Sequence, residues 1–108
     1  MVYVASAFSL NMLKGDSTLL RVRKISIDEA KAMMESGFVS VVGHESTARV
    51  MSELLGVEIV ADRSSVELQA GDKVIVFQLL KRLGEGVVLS ADEIHKTPHA
   101  FYIVEVLE

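Results

Sequence analysis

The chain has 108 residues, half of them apolar, with no cysteine and a formal net charge of −4. That apolar content points to one folded domain over residues 1–108 rather than a disordered chain, and the missing cysteines exclude disulfides, thiolate metal sites and cysteine nucleophiles. No run approaches the ~20 apolar residues that a membrane-spanning helix needs, and the acidic balance argues against general DNA or RNA binding, so a cytoplasmic protein with no membrane and no DNA partner is expected.

In chain order, Val2 to Phe8 is rich in β-formers and short enough for a buried strand. Lys14-Gly15-Asp16 reads as a turn, and Lys14 to Ser17 as a candidate flap. Thr18 to Ile25 alternates, with Arg21 and Arg23 on one face and Leu20 and Val22 on the other, as in a half-buried strand. Ser26-Ile27-Asp28-Glu29 is a capping box. The helix it opens turns Ala30, Met33 and Met34 inward and stops at Gly37. A short strand, Phe38 to Val42, then meets Gly43-His44. The next helix places Ala48, Met51, Leu54 and Leu55 on one face, with Arg49 and Glu53 outside, and ends at Gly56.

Val57 to Val60 reads as a further apolar piece. Ser65 to Leu68 and Lys73 to Leu80 flank Ala70-Gly71-Asp72, a hairpin pattern. Val74 to Phe77 is apolar without a break, so that strand is expected to be central and covered on both faces. Gly84 and Gly86 mark a polar corner. Ser90-Ala91-Asp92-Glu93 starts a short helix that Pro98 stops, and Ala100 to Val106 closes the chain as a strand. The expectation is an α/β (α+β) fold: a single domain, a mixed β-sheet flanked by helices. Its strand order is not readable.

Three places could carry chemistry. The first is Gly43-His44-Glu45-Ser46-Thr47, a strand, a glycine turn and a helix start. Unpaired N–H groups and the positive dipole end favour an anion there, and histidine exchanges a proton near neutral pH. His44 equally fits a helix-start histidine with no duty. The second is Gln78, Arg82 and Glu85, an amide, a guanidinium and a carboxylate at the polar exit of the buried strand. Open α/β sheets put their sites at such ends; a solvated corner is the bland alternative. The third is Arg63, a cation before the hairpin. His95 and His99, beside Pro98, are expected to be structural. The chain contains no His-Glu-x-x-His, P-loop or Gly-x-Ser-x-Gly pattern, and neither a metal nor a cofactor is implied.

Taken together, Ala7-Phe8-Ser9-Leu10-Asn11-Met12-Leu13, Gly43-His44-Glu45-Ser46-Thr47 and Gln78…Arg82-Leu83-Gly84-Glu85-Gly86 resemble the viral ring nucleases that act as type III anti-CRISPR proteins. That family was formerly a domain of unknown function in archaeal viruses and bacteria. The resemblance runs over essentially the whole chain, and it implies a homodimer that binds cyclic tetra-adenylate at its two-fold interface. It further implies cleavage to linear di-adenylate, in the host cytoplasm if the chain is viral. His44 would be the general acid, Arg82 and Glu85 would complete the catalytic site, and Ser9, Asn11, Arg63 and Gln78 would bind the ligand. Two departures stand out: Glu45 where Asp is common, and Leu80-Lys81 in place of a Ser-Gln pair.

Those residue types suit the reaction. RNA carries its own nucleophile, so the protein needs to align a 2′-OH with the adjacent phosphorus, stabilise the phosphorane and protonate the departing 5′-oxygen. The fork of Arg82 suits phosphate, and Glu85 would favour the protonated imidazole. Two other classes compete: a non-catalytic module that binds a cyclic oligonucleotide or nucleic acid as a regulator, and a protein-interaction domain with no nucleotide affinity.

Overall fold

The computed structural model describes residues 1–62, 66–79 and 99–108. Its centre is a five-stranded sheet built from β1 (Val2–Ala5), β2 (Leu20–Ile25), β3 (Val39–Ser40), β4 (Lys73–Leu79) and β5 (His99–Val106) in the order β2-β5-β4-β1-β3. β1 runs parallel to both β3 and β4, whereas β5 is antiparallel to both β4 and β2. β1, β2, β3 and β4 therefore all point one way and β5 alone returns. The expected α/β (α+β) domain with a mixed sheet is what forms.

Local chemistry explains both α-helices among the described residues. Helix α1 (Ile27–Met34) opens with the capping box: Ser26 Oγ accepts the Glu29 N–H at 3.1 Å, and the Glu29 carboxylate accepts the Ser26 N–H at 3.3 Å. Helix α2 (Glu45–Leu55) buries Ala48, Met51, Leu54 and Leu55, as its 3.6-residue period dictates, together with Val50. Gly56 ends it at φ +71°, a left-handed conformation that glycine adopts without a Cβ clash, and its N–H returns to the Ser52 carbonyl at 2.9 Å.

The helices cover one face of the sheet. There Val4, Ile75, Phe77, Phe101 and Ile103 meet Ala30 and Met34 of α1 and Met51, Leu54 and Leu55 of α2. No helix among the described residues covers the other face. Ala5, Val74, Val76, Val104 and Val106 are closed over by Phe8, Met12 and Leu13, and by Leu68 from the segment before β4. The Leu68 N–H donates to the Met12 carbonyl at 2.8 Å and ties these two covering pieces together.

Several sequence expectations change. β1 stops at Ala5; Phe8 belongs to the covering loop, not to the strand. Residues 66–68 form no strand, so the expected hairpin partner of β4 is absent, and β4 pairs with β1 and β5. The turn itself exists: Gly71 has φ +93° and the Asp72 N–H donates to the Gln69 carbonyl at 3.0 Å. Val22 lies on the loop-covered face but beyond its cover, 59% exposed, because β2 is an edge strand. Val76 and Phe77 are buried on opposite faces, which bears out the central placement of β4. Ala61 makes a parallel bridge to Val42, just past Val57–Val60, the further apolar piece the sequence suggested. Ser65, the Gly84–Gly86 corner and the short helix after Ser90 lie outside the described residues. Among the described residues no helix is long and apolar enough to cross a membrane.

Candidate functional site

Strand directions define one end of the sheet. The C-terminal ends of β1, β2, β3 and β4 meet there with the first residue of β5 and with the N-termini of α1 and α2. Ligands of open α/β sheets bind at this kind of end, where backbone groups are left over from the ladders.

His44 stands at it. The chain runs from β3 through Val41, whose N–H donates to the Val4 carbonyl at 2.9 Å, and Val42, buried against the helix-covered face. Gly43 then turns the chain and His44 becomes the N-cap of α2, with extended backbone (φ −125°, ψ 130°) and its carbonyl accepting the Ala48 N–H at 3.0 Å. The His44 side chain is exposed and makes no capping hydrogen bond to the helix. Glu45 occupies the first turn, where its charge favours the dipole.

Ser9 and Asn11 reach the same end from β1. Ser9 caps a short 3-10 turn over Leu10–Met12: its Oγ accepts the Asn11 N–H at 3.2 Å and its carbonyl accepts the Met12 N–H at 3.0 Å. Phe8, Met12 and Leu13 point down onto the sheet, which leaves Ser9, Leu10 and Asn11 exposed. The turn holds its polar side chains outward because its apolar neighbours are anchored beneath. Gln78 lies two residues past Val76, the register partner of Ala5, and its alternation puts it on this loop-covered face. Its side chain is exposed.

The predicted residues thus fall into two sets at one end of the sheet, one on each face. Ser9, Asn11 and Gln78 belong to the loop-covered face. His44 belongs to the helix-covered face, at the head of α2. Arg63, Arg82 and Glu85 lie outside the described residues, as do His95 and the Leu80-Lys81 departure. His99, which the sequence assigned to structure, opens β5 at the same end, half-buried, with its ring centroid 5.7 Å from that of Phe77. Only strand register reveals that location. Among the described residues, no cluster of three or more His, Cys, Asp or Glu could hold a metal ion.

Glu105, near the opposite end of β5, has its carboxyl held below the ordinary range, chiefly by hydrogen bonds from Arg21 at 2.8 and 3.3 Å, while burial pushes the other way. The charges of Arg21, Lys73 and Arg23 add to the lowering.

A profile of the family described as STIV B116-like matches residues 2–102. The chain belongs to that family. Relatives span most of its length. Uncharacterized protein 26 of Sulfolobus islandicus filamentous virus (isolate Iceland/Hveragerdi) is 31% identical, over 99% of this chain and 92% of the relative. Uncharacterized protein YddF of Bacillus subtilis (strain 168) is 29% identical, over 94% and 97%. The solved structure of B116 from Sulfolobus turreted icosahedral virus superposes with a TM-score of 0.77 at 28% identity, covering 96% of this chain and 97% of B116. Similar proteins thus occur in viruses of archaea and in a bacterium, and the end of the sheet that carries His44 lies within the matched residues.

Proposed function

We propose that this chain is a metal-independent ring nuclease that binds cyclic tetra-adenylate and cuts it into linear di-adenylate, so ending type III CRISPR signalling as an anti-CRISPR protein. The observation that carries the reading is His44: an exposed imidazole at a helix start without a side-chain cap, at the sheet end shared with Ser9, Asn11 and Gln78. Membership in a family with relatives in archaeal viruses supports it further.

The chemistry follows from the substrate. The 2′-oxygen attacks the adjacent phosphorus and its proton passes to water. The P–O5′ bond breaks, and protonated His44 gives its proton to the departing 5′-oxygen. One sugar is left with a 2′,3′-cyclic phosphate and the next with a 5′-hydroxyl. Free N–H groups at the start of α2 would stabilise charge on the phosphorane oxygens. In the same reading Arg82 grips the phosphate and Glu85 completes the catalytic site, while Ser9, Asn11, Gln78 and Arg63 hold the ring. A two-fold homodimer suits a ring of four identical nucleotides, because each subunit presents one surface to half of it. The setting is the cytoplasm of the infected host.

The test is incubation with cyclic tetra-adenylate in EDTA. Wild type is expected to cut, and His44→Ala to lose about 10²–10⁴-fold in kcat, the usual contribution of a placed general acid. Equal activity in both would remove His44 from the mechanism. An inert wild type that still binds the ring would make the protein a sequestering module, and one without affinity would end the nucleotide reading.

A further inference from the structure

We infer that His99 is a binding residue of this site, an aromatic shelf on which one nucleobase of the ligand stacks. The inference rests on the nucleotide reading above and adds to it a group that takes no part in the proton transfer.

His99 pairs with Leu79 on the outermost described rung of the β4–β5 ladder. Alternation along β5 places it on the helix-covered face with Phe101 and Ile103, the side from which His44 approaches. Its ring continues an aromatic row: Phe101 lies 5.3 Å from Phe77 with a 55° tilt, and Phe77 lies 5.7 Å from His99 with a 39° tilt. Phe77 and Phe101 are buried, whereas His99 is half-buried, so the row surfaces only at the imidazole. Packing against Phe77 restricts the ring before any ligand arrives, and a pre-set ring loses little freedom on stacking.

The position also fits the size of the ligand. β5 is three strands from β3, the strand that leads to His44. At the usual strand spacing that is about 14 Å, a span that several linked nucleotides bridge and a lone phosphate does not. A ligand that extends from His44 across the strand ends toward β5 would bring a base to His99. Stacking on a flat ring tolerates any base and gains most from one with a large π face, so a purine is the fitting occupant.

Three substitutions separate a stacking ring from a polar or proton-carrying one. His99→Ala removes the ring, His99→Phe keeps the ring without its nitrogens, and His99→Gln keeps polarity without the ring. Affinity for cyclic tetra-adenylate is measured in a His44→Ala background, where the ring stays intact, and kcat and KM with His44 present. His99→Ala and His99→Gln are expected to bind about tenfold more weakly with kcat nearly unchanged, and His99→Phe to stay close to wild type. The proposal is overturned if His99→Ala binds like the parent, if His99→Phe is as weak as His99→Ala, or if the loss falls on kcat. A parent that binds no ring at all would sink the nucleotide reading along with it. A parent that binds while all three variants match it would sink the shelf alone. Circular dichroism separates a lost shelf from a lost fold, and His99→Phe and His99→Gln still decide the matter should His99→Ala misfold.

Discussion

The two faces of the sheet are closed in different ways. On one, regular helices with side chains at a 3.6-residue spacing interlock with Phe77, Phe101 and Ile103. On the other, loop residues Phe8, Met12, Leu13 and Leu68 form the cover, tied by one backbone bond from Leu68 to Met12. Loops tolerate polar side chains facing outward at their tips, and Ser9 and Asn11 are the result. The helix face carries most of the buried side chains and has the exposed His44 at its rim. The loop face carries Ser9 and Asn11, with fewer buried side chains behind them.

That division can be broken by truncating one side chain on each face. Phe101→Ala removes a fully buried ring in contact with Phe77, and is expected to cost about 3–5 kcal/mol in a urea unfolding experiment. A loss that large is a substantial part of the ~5–15 kcal/mol that holds a typical domain together. Leu68→Ala also removes a fully buried side chain. Its cover can settle into the gap, so its cost should sit near the lower end for such a change, about 2 kcal/mol. Hydrogen exchange at the Leu68 amide should quicken more than at the sheet amides of Val104. Equal costs, with equal loss of protection throughout, would show that both faces belong to one cooperative unit.

Legibility in the sequence follows the same division. Helix α2 was readable because the apolar spacing from Ala48 to Leu55 and Gly56 at its end agree. The capping box at Ser26 was equally plain. Register was not: β1 beside β4, and β2 beside β5, are pairings between distant residues that no local pattern encodes. Ala70-Gly71-Asp72 did announce a turn, yet a turn does not say which strand lies alongside, and residues 66–68 went to the loop cover. At the candidate site, the helix-start position of His44 was visible from its own surroundings, a strand, a glycine and a helix. Ser9 and Asn11 were visible only through the resemblance, since an exposed polar turn has no pattern of its own. His99 was assigned to structure by its place beside Pro98, and only the β4–β5 register carries it to the end of the sheet.

The smallest expected effect tests the far end of the helix face. Glu105 directly opposes Arg21 across β5 and β2 and is only 14% exposed, while Arg21 is more than half exposed. Solvent screens such a pair, so Glu105→Gln should destabilise only slightly at neutral pH. Its signature lies in the pH dependence. Because the carboxyl is held below its ordinary range in the folded protein, the unfolded chain takes up the proton first as acid is added. The stabilisation is therefore present above the ordinary carboxylate range and disappears as pH falls through the lowered folded value. Wild type should begin slightly more stable than Glu105→Gln, and the gap between their unfolding midpoints should close on acidification. Raising the salt concentration at neutral pH should narrow it as well. A gap that widens in acid would mean that burial, which opposes Arg21 at this carboxylate, outweighs the hydrogen bonds.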